Sequence, residues 1–87
     1  MADQRVVILA ALEDGPLPRH LPPHAPGRSI ERACSGVRPL RVASVIGELR
    51  SGAWPLVEEV PWGRDVFRIT DGGRAQLAWV REVDGAA

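Results

Sequence analysis

Arginine side chains are concentrated in the middle of this sequence. Residues 19–50 hold six arginines against two acids, Glu31 and Glu48, so this segment carries +4 in a chain of zero formal charge. The six are Arg19, Arg28, Arg32, Arg38, Arg41 and Arg50. A guanidinium group forms paired hydrogen bonds with phosphate oxygens and with guanine. The segment therefore indicates an anionic partner, although an ordinary solvated surface would carry the same charge. The chain has no lysine, and a GC-rich genome would explain that preference for arginine.

Metal and thiol chemistry have less support. His20 and His24 are four residues apart, but two intervening prolines prevent the helix that would bring their imidazoles together. A structural zinc site usually needs four ligands, so we expect no metal and no cofactor. Cys34 is expected to be a buried core residue. The alternative is a redox-sensitive thiol whose pKa Arg32 and Arg38 would lower.

Catalytic motifs are not found in the sequence. Its serines lack the nucleophile-elbow pattern, and residues 71–74 (DGGR) lack the lysine and the spacing of a phosphate-binding loop. The acids Glu58 and Glu59 are adjacent, so on a strand they would point to opposite faces and could not share a substrate. We therefore expect that the protein is not an enzyme.

Length and composition predict one globular domain over residues 1–87, with 45% hydrophobic and 25% charged residues. A single cysteine excludes a disulfide within the chain and favours a reducing compartment, so we expect a cytoplasmic protein. The apolar segment Val6–Leu12 is far shorter than a membrane span and lacks the flanks of a signal peptide. No membrane association is expected.

Helices are predicted over residues 3–13, 29–35, 39–50 and 71–83. Ser29 is a suitable N-cap, Gly36 follows as a stop signal, and Pro39 suits a first helical turn. Between the first two helices, residues 15–28 are rich in proline and are expected to form an irregular connector without a helix or a central strand.

A β-hairpin is predicted over residues 54–70, with strands on either side of the turn Pro61–Arg64. Trp54 and Trp79 are expected in the core. Trp62 lies in the turn, where it either folds back over the hairpin or marks a surface for a partner.

The order helix, helix, helix, hairpin, helix resembles the winged helix–turn–helix domain. The features that carry the resemblance are Gly36–Val37 at the turn, the apolar stripe of Val42, Ile46 and Leu49, and Gly52 before the hairpin. The stretch Ile69–Leu77 is also similar to the end of the wing in MarR-like and PadR-like regulators, which often carry a Leu-Thr-x-x-Gly-Arg motif. Here Ile69 stands for the leucine, and Thr70, Gly73 and Arg74 match. The resemblance covers residues 29–80.

This resemblance implies an α+β fold: a three-helix bundle with a β-hairpin wing and a C-terminal helix. Its implied function is binding of double-stranded DNA by a small bacterial or phage transcriptional regulator. The helix at 39–50 would enter the major groove and the wing would touch the DNA backbone. The residues expected to contact DNA are Arg28, Arg38, Arg41, Ser44, Arg64 and Arg68.

Two further expectations concern partners. A homodimer would double the DNA contacts across a two-fold site. The alternative function is a winged helix that binds another protein, through Trp62 and the proline-rich connector, because fold alone does not determine function. The acids Glu48, Glu58 and Glu59 discriminate between the two, since they favour a protein partner if they neutralise the arginines of the DNA-binding face.

Overall fold

The computed structural model describes residues 3–85 and contains four helices and one three-stranded antiparallel sheet, an α+β fold. The elements in chain order are α1 (Gln4–Ala11), β1 (Leu17–Pro18), α2 (Ile30–Ala33), α3 (Pro39–Arg50), β2 (Val57–Glu59), β3 (Val66–Ile69) and α4 (Asp71–Gly85). No helix among residues 3–85 is long and apolar enough to cross a membrane.

Local sequence signals start and stop the two central helices. The Ser29 hydroxyl accepts a hydrogen bond from the Arg32 backbone N–H at 3.1 Å, so Ser29 is the N-cap of α2. Gly36 has a φ of +88°, a conformation that favours glycine and lets the chain turn after α2. Pro39 begins α3, where a missing N–H costs no hydrogen bond. These helix starts confirm the sequence prediction.

One apolar core joins the helices to the sheet. Its side chains are Ile8, Leu9, Leu12, Leu17, Ile30, Cys34, Val42, Val45, Ile46, Leu49, Val57, Phe67, Ile69 and Leu77. Cys34 is 4% exposed, which confirms its expected place in the core. Burial raises the pKa of the Cys34 thiol, so the residue is held in its neutral, unreactive form.

The proline-rich connector contributes a two-residue edge strand, which the sequence did not predict, and contains no other helix or strand. Leu17 pairs with Phe67 and Pro18 with Val66, so the sheet has the order β1-β3-β2 with β1 at an edge. Proline has no N–H to donate, and an edge strand tolerates it because one side of that strand has no neighbour. The backbone N–H of Arg19 then donates to the Asp65 carbonyl at 2.6 Å.

Two tryptophans expected in the core are exposed instead. Trp54 is 86% exposed, because the chain remains bonded to the end of α3 (the Leu56 N–H donates to the Leu49 carbonyl at 2.8 Å) and β2 begins only at Val57. Trp79 is 59% exposed. It follows the buried Leu77 by two residues, about 200° around the helix, and therefore points away from the core. Ala75 and Ala78 on the same helix are exposed too.

The Thr70–Arg74 motif begins α4 and attaches it to the rest of the fold. The Thr70 hydroxyl accepts from the Gly73 N–H at 3.0 Å and donates to the Pro55 carbonyl at 2.6 Å. Gly73 is buried against the Leu56 carbonyl, where a Cβ would collide. Arg74 donates to the Glu13 carbonyl at 3.3 Å. These residues therefore have structural roles.

Candidate nucleic-acid interface

The exposed side of α3 is the centre of the candidate site. Helical geometry puts Leu40, Ala43, Ser44 and Gly47 opposite the buried stripe of α3, and all four are exposed. We call these four residues the outward face. Leu40 is 86% exposed, and a Cβ built at Gly47 would meet no atom within 4 Å. The outward face is therefore uncharged, consists of small side chains apart from Leu40, and is accessible to a partner.

Contacts with α1 border the outward face on one side. The Nε of Arg41 donates to Gln4 Oε1 at 3.0 Å, and the Nε of Arg5 lies 3.2 Å from Glu48 Oε2. Gln4 is neutral, so it fixes Arg41 without cancelling its charge. The two terminal nitrogens of Arg41 make no side-chain hydrogen bond within residues 3–85 and remain available for an acceptor.

The hairpin contacts the C-terminal end of α3. The guanidinium carbon of Arg50 lies 5.3 Å from the centroid of the Phe67 ring, which ties the end of α3 to β3. Arg50 was not among the expected DNA contacts, although it belongs to the basic segment. Its contact is with an aromatic ring, so its charge is not neutralised by a carboxylate.

Besides Arg41, three of the expected contact residues have no ion-pair partner within residues 3–85: Arg28, Arg38 and Arg64. Arg38 is the N-cap residue of α3, makes no capping hydrogen bond with its side chain, and is exposed. Arg28 immediately precedes the N-cap of α2, and Arg64 lies in the turn between β2 and β3. Their guanidinium groups are therefore free to bind an anion.

Arg68 differs from these arginines, because its guanidinium group contacts both a carboxylate and an aromatic ring. Its Nε lies 2.6 Å from Glu58 Oε1 on the neighbouring strand, where the two residues are cross-strand partners. Its guanidinium carbon is 5.5 Å from the Trp62 ring centroid. Trp62 thus packs beside Arg68 while remaining 69% exposed. Arg68 is poorly available for phosphate compared with Arg38.

A polar network joins the tip of the hairpin to α2. Arg19 bonds to Glu31 at 2.9 Å and to Asp65 at 3.2 Å, and Glu31 also contacts His20 Nδ1 at 3.0 Å. Glu59 accepts from the Asp65 backbone N–H at 3.0 Å. The network connects the segments that carry Arg28 and Arg64. In the part of the chain that the structure describes, no three side chains are grouped to hold a metal ion.

Trp54 lines two open grooves that the sequence did not indicate. One groove, of about 490 Å³, is lined by Trp54, Pro55, Glu58, Arg68, Ile69, Thr70, Asp71 and Gly72. The other, of about 480 Å³, is lined by Arg5, Glu48, Leu49, Ser51, Trp54 and Leu56. Both are shallow and contain paired charges, so neither resembles an enclosed site for a small molecule.

Comparisons of this chain with protein-family models, with curated proteins and with solved structures give no match. Function must therefore be inferred from the side chains. Sequence reasoning assigned Arg38 and Arg41 to the start of α3, where they are found. It missed the partner of Arg41, because Gln4 is 37 residues away and neither residue type predicts the pairing.

Proposed function

We propose that this protein is a winged helix–turn–helix domain that binds double-stranded DNA, in the manner of a small transcriptional regulator. In this proposal α3 enters the major groove and the β2–β3 hairpin is the wing, which lies against the backbone. The observation that carries the proposal is the outward face of α3, which is exposed and has Arg38 and Arg41 beside it, neither neutralised by a carboxylate.

The chain order supports the fold assignment. The order α1-β1-α2-α3-β2-β3, with the sheet order β1-β3-β2, is similar to the arrangement in winged helix–turn–helix domains. The helix-turn-helix unit would be α2, the turn at Gly36 and α3. In such units the N-terminal residues of the second helix contact base edges. Leu40 and Arg41 occupy that position here.

The acids near the proposed interface are engaged elsewhere. Glu48 pairs with Arg5, Glu58 pairs with Arg68, and Glu59 accepts from a backbone N–H. None of the three bonds to Arg38 or Arg41. This pattern favours DNA over a protein partner, because the positive charge beside α3 is not cancelled locally.

Phosphate binding is assigned to the exposed arginines at the edges. Arg38, Arg28 and Arg64 would bind the backbone, with Arg41 and Ser44 near the base edges. Arg68 would contribute less, since Glu58 already neutralises it. Because one copy makes few phosphate contacts, we expect it to bind DNA weakly. A homodimer on a two-fold site would double these contacts and bind far more tightly.

The test is fluorescence anisotropy of a labelled duplex at about 50 mM and 200 mM salt. We expect binding that weakens steeply with salt, and a salt slope smaller by about one unit for Arg38→Ala. Arg81→Ala is the matched control. It removes the same charge from α4, where Arg81 pairs with Glu13 at 2.6 Å and holds the pKa of that carboxyl below its usual value. No binding by the folded protein at tens of micromolar would refute the proposal.

A second candidate function is docking of another protein, which the exposed tryptophans favour. Trp54, Trp62 and Trp79 are 86%, 69% and 59% exposed, and tryptophan is enriched where proteins bind one another. On α4, Val83 is exposed one turn after Trp79 and extends the apolar surface. Sedimentation of the wild type and of Trp79→Ala tests for a second copy as that partner: a dimer that dissociates on substitution supports α4 as the contact.

A further inference from the structure

Leu40 has an unusual position for a large apolar side chain. It is the second residue of α3 and is 86% exposed, as much as any large hydrophobic side chain in residues 3–85. The core is built without it: the buried residues of α3 are Val42, Val45, Ile46 and Leu49. Leu40 therefore contributes little to folding.

Leu40 projects from the outward face because its neighbours on that face have smaller side chains. The other members of the outward face are Ala43, Ser44 and Gly47, all smaller than leucine, and nothing in the fold covers them. A duplex lying along this face would approach the helix closely at Gly47 and would meet Leu40 as the longest side chain. Arg38 and Arg41 lie on either side of Leu40 in sequence and would hold the phosphates and bases nearby.

The chemistry of the major groove offers one partner for an apolar side chain. Base edges there present hydrogen-bond donors and acceptors, and the apolar group among them is the 5-methyl group of thymine. A leucine that faced other base edges would strip water from polar groups without replacing their hydrogen bonds.

We propose that Leu40 determines specificity by packing against a thymine methyl group, so that α3 prefers an A·T pair at that position. This inference rests on the proposed DNA-binding function and names the base that the same site reads. Burial of one methyl group predicts about fourfold tighter binding of a thymine-containing site than of the same site with uracil, which differs by that methyl alone.

The experiment begins with selection of bound duplexes from a random pool by the full chain. The selected duplex is then made with thymine and, separately, with uracil at each thymine position, and both affinities are measured by anisotropy. We expect about fourfold discrimination at one position for the wild type. Leu40→Ala should bind both forms equally, whereas Leu40→Met, which keeps an apolar side chain of similar size, should retain discrimination.

Thermal melting of the three proteins verifies that all are folded, since an exposed Leu40 predicts unchanged stability. Equal binding of thymine and uracil forms by the wild type, discrimination that survives Leu40→Ala, or a selected site without thymine would overturn the inference and leave DNA binding intact. Failure of the wild type to select any duplex would instead overturn the proposed function, and this inference with it.

Discussion

Two helical glycines of this fold have opposite surroundings: Gly73 in the first turn of α4 and Gly47 in the interior of α3. Gly73 in α4 is buried, and a Cβ there would collide with the Leu56 carbonyl and come within 2.7 Å of the Ile69 side chain. Gly47 in α3 is exposed, and a Cβ there would meet nothing within 4 Å. A glycine inside a helix costs about 1 kcal/mol relative to alanine. The fold itself explains that cost at Gly73 but not at Gly47.

The same contrast extends to the residues around each glycine. At the start of α4, Thr70 and Arg74 donate to the backbone carbonyls of Pro55 and Glu13 in two distant loops, so these residues help to hold α4 in place. Along α3, Leu40 and Ser44 are exposed and neither side chain makes a hydrogen bond within residues 3–85, and Arg41 is held through its Nε alone. Exposed residues that do not stabilise the fold are the better candidates for contact with a partner.

The largest effect is expected for Gly73→Ala. The added methyl group meets a backbone oxygen that cannot move aside cheaply, so we expect a loss of about 3 kcal/mol in the free energy of unfolding. Urea titration followed by far-UV circular dichroism measures it. Gly72→Ala is the control, because its Cβ would lie at an ordinary 3.5 Å from the Pro55 carbonyl. Equal stability of the two variants would contradict the close approach of α4 to Leu56.

The next largest effect is on DNA affinity, and it distinguishes the contribution of α3 from that of the hairpin. The double variant Arg38→Ala, Arg41→Ala should weaken DNA binding by about 2 kcal/mol, roughly thirtyfold. The double variant Arg64→Ala, Arg68→Ala removes the same formal charge but should cost only about 0.5 kcal/mol, because Arg64 supplies one phosphate contact and Arg68 is already neutralised by Glu58. Anisotropy at one fixed salt concentration compares them. Equal losses would mean that net charge alone determines binding.

Local signals predicted the helices of this fold well. Ser29, Gly36 and Pro39 each act within a few residues of their own position, and α2 and α3 begin where these residues indicate. The strand β1 was missed because it depends on pairing between Leu17 and Phe67, which are distant in sequence, and no local pattern marks it. Pro18 also argued against a strand, because proline is tolerated in a sheet only at an edge position.

The candidate site was predictable only in part. The sequence gives the charge of Arg38 and Arg68 but not their surroundings, and only the cross-strand pairing with Glu58 shows that Arg68 is neutralised. Trp54 and Trp79 were assigned to the core because each lies on a predicted strand or helix that was expected to face the interior. Their exposure follows from where β2 begins and from which side of α4 faces α1, and both are tertiary properties.

A smaller effect is expected for Thr70→Ala. The hydroxyl caps α4 and also donates to Pro55, so its loss should lower the free energy of unfolding by about 1.5 kcal/mol. Thr70→Ser keeps the hydroxyl and should lose less than about 0.5 kcal/mol. Both are measured by urea titration. DNA affinity should be unchanged in either folded variant, and a selective loss of affinity would give this motif a role beyond the fold.

The smallest effect is expected at Gly47, where stability and binding should move in opposite directions. Gly47→Ala improves helix propensity at an exposed position and should raise the free energy of unfolding by about 1 kcal/mol. Gly36→Ala is the opposite control, since a φ of +88° penalises a side chain. Under the DNA proposal, a longer side chain in Gly47→Gln should still fold but weaken DNA binding, because it holds the duplex away from α3. If Gly47→Gln is stable and binds as tightly as the wild type, the outward face is not where DNA approaches, and the exposed tryptophans become the better guide to function.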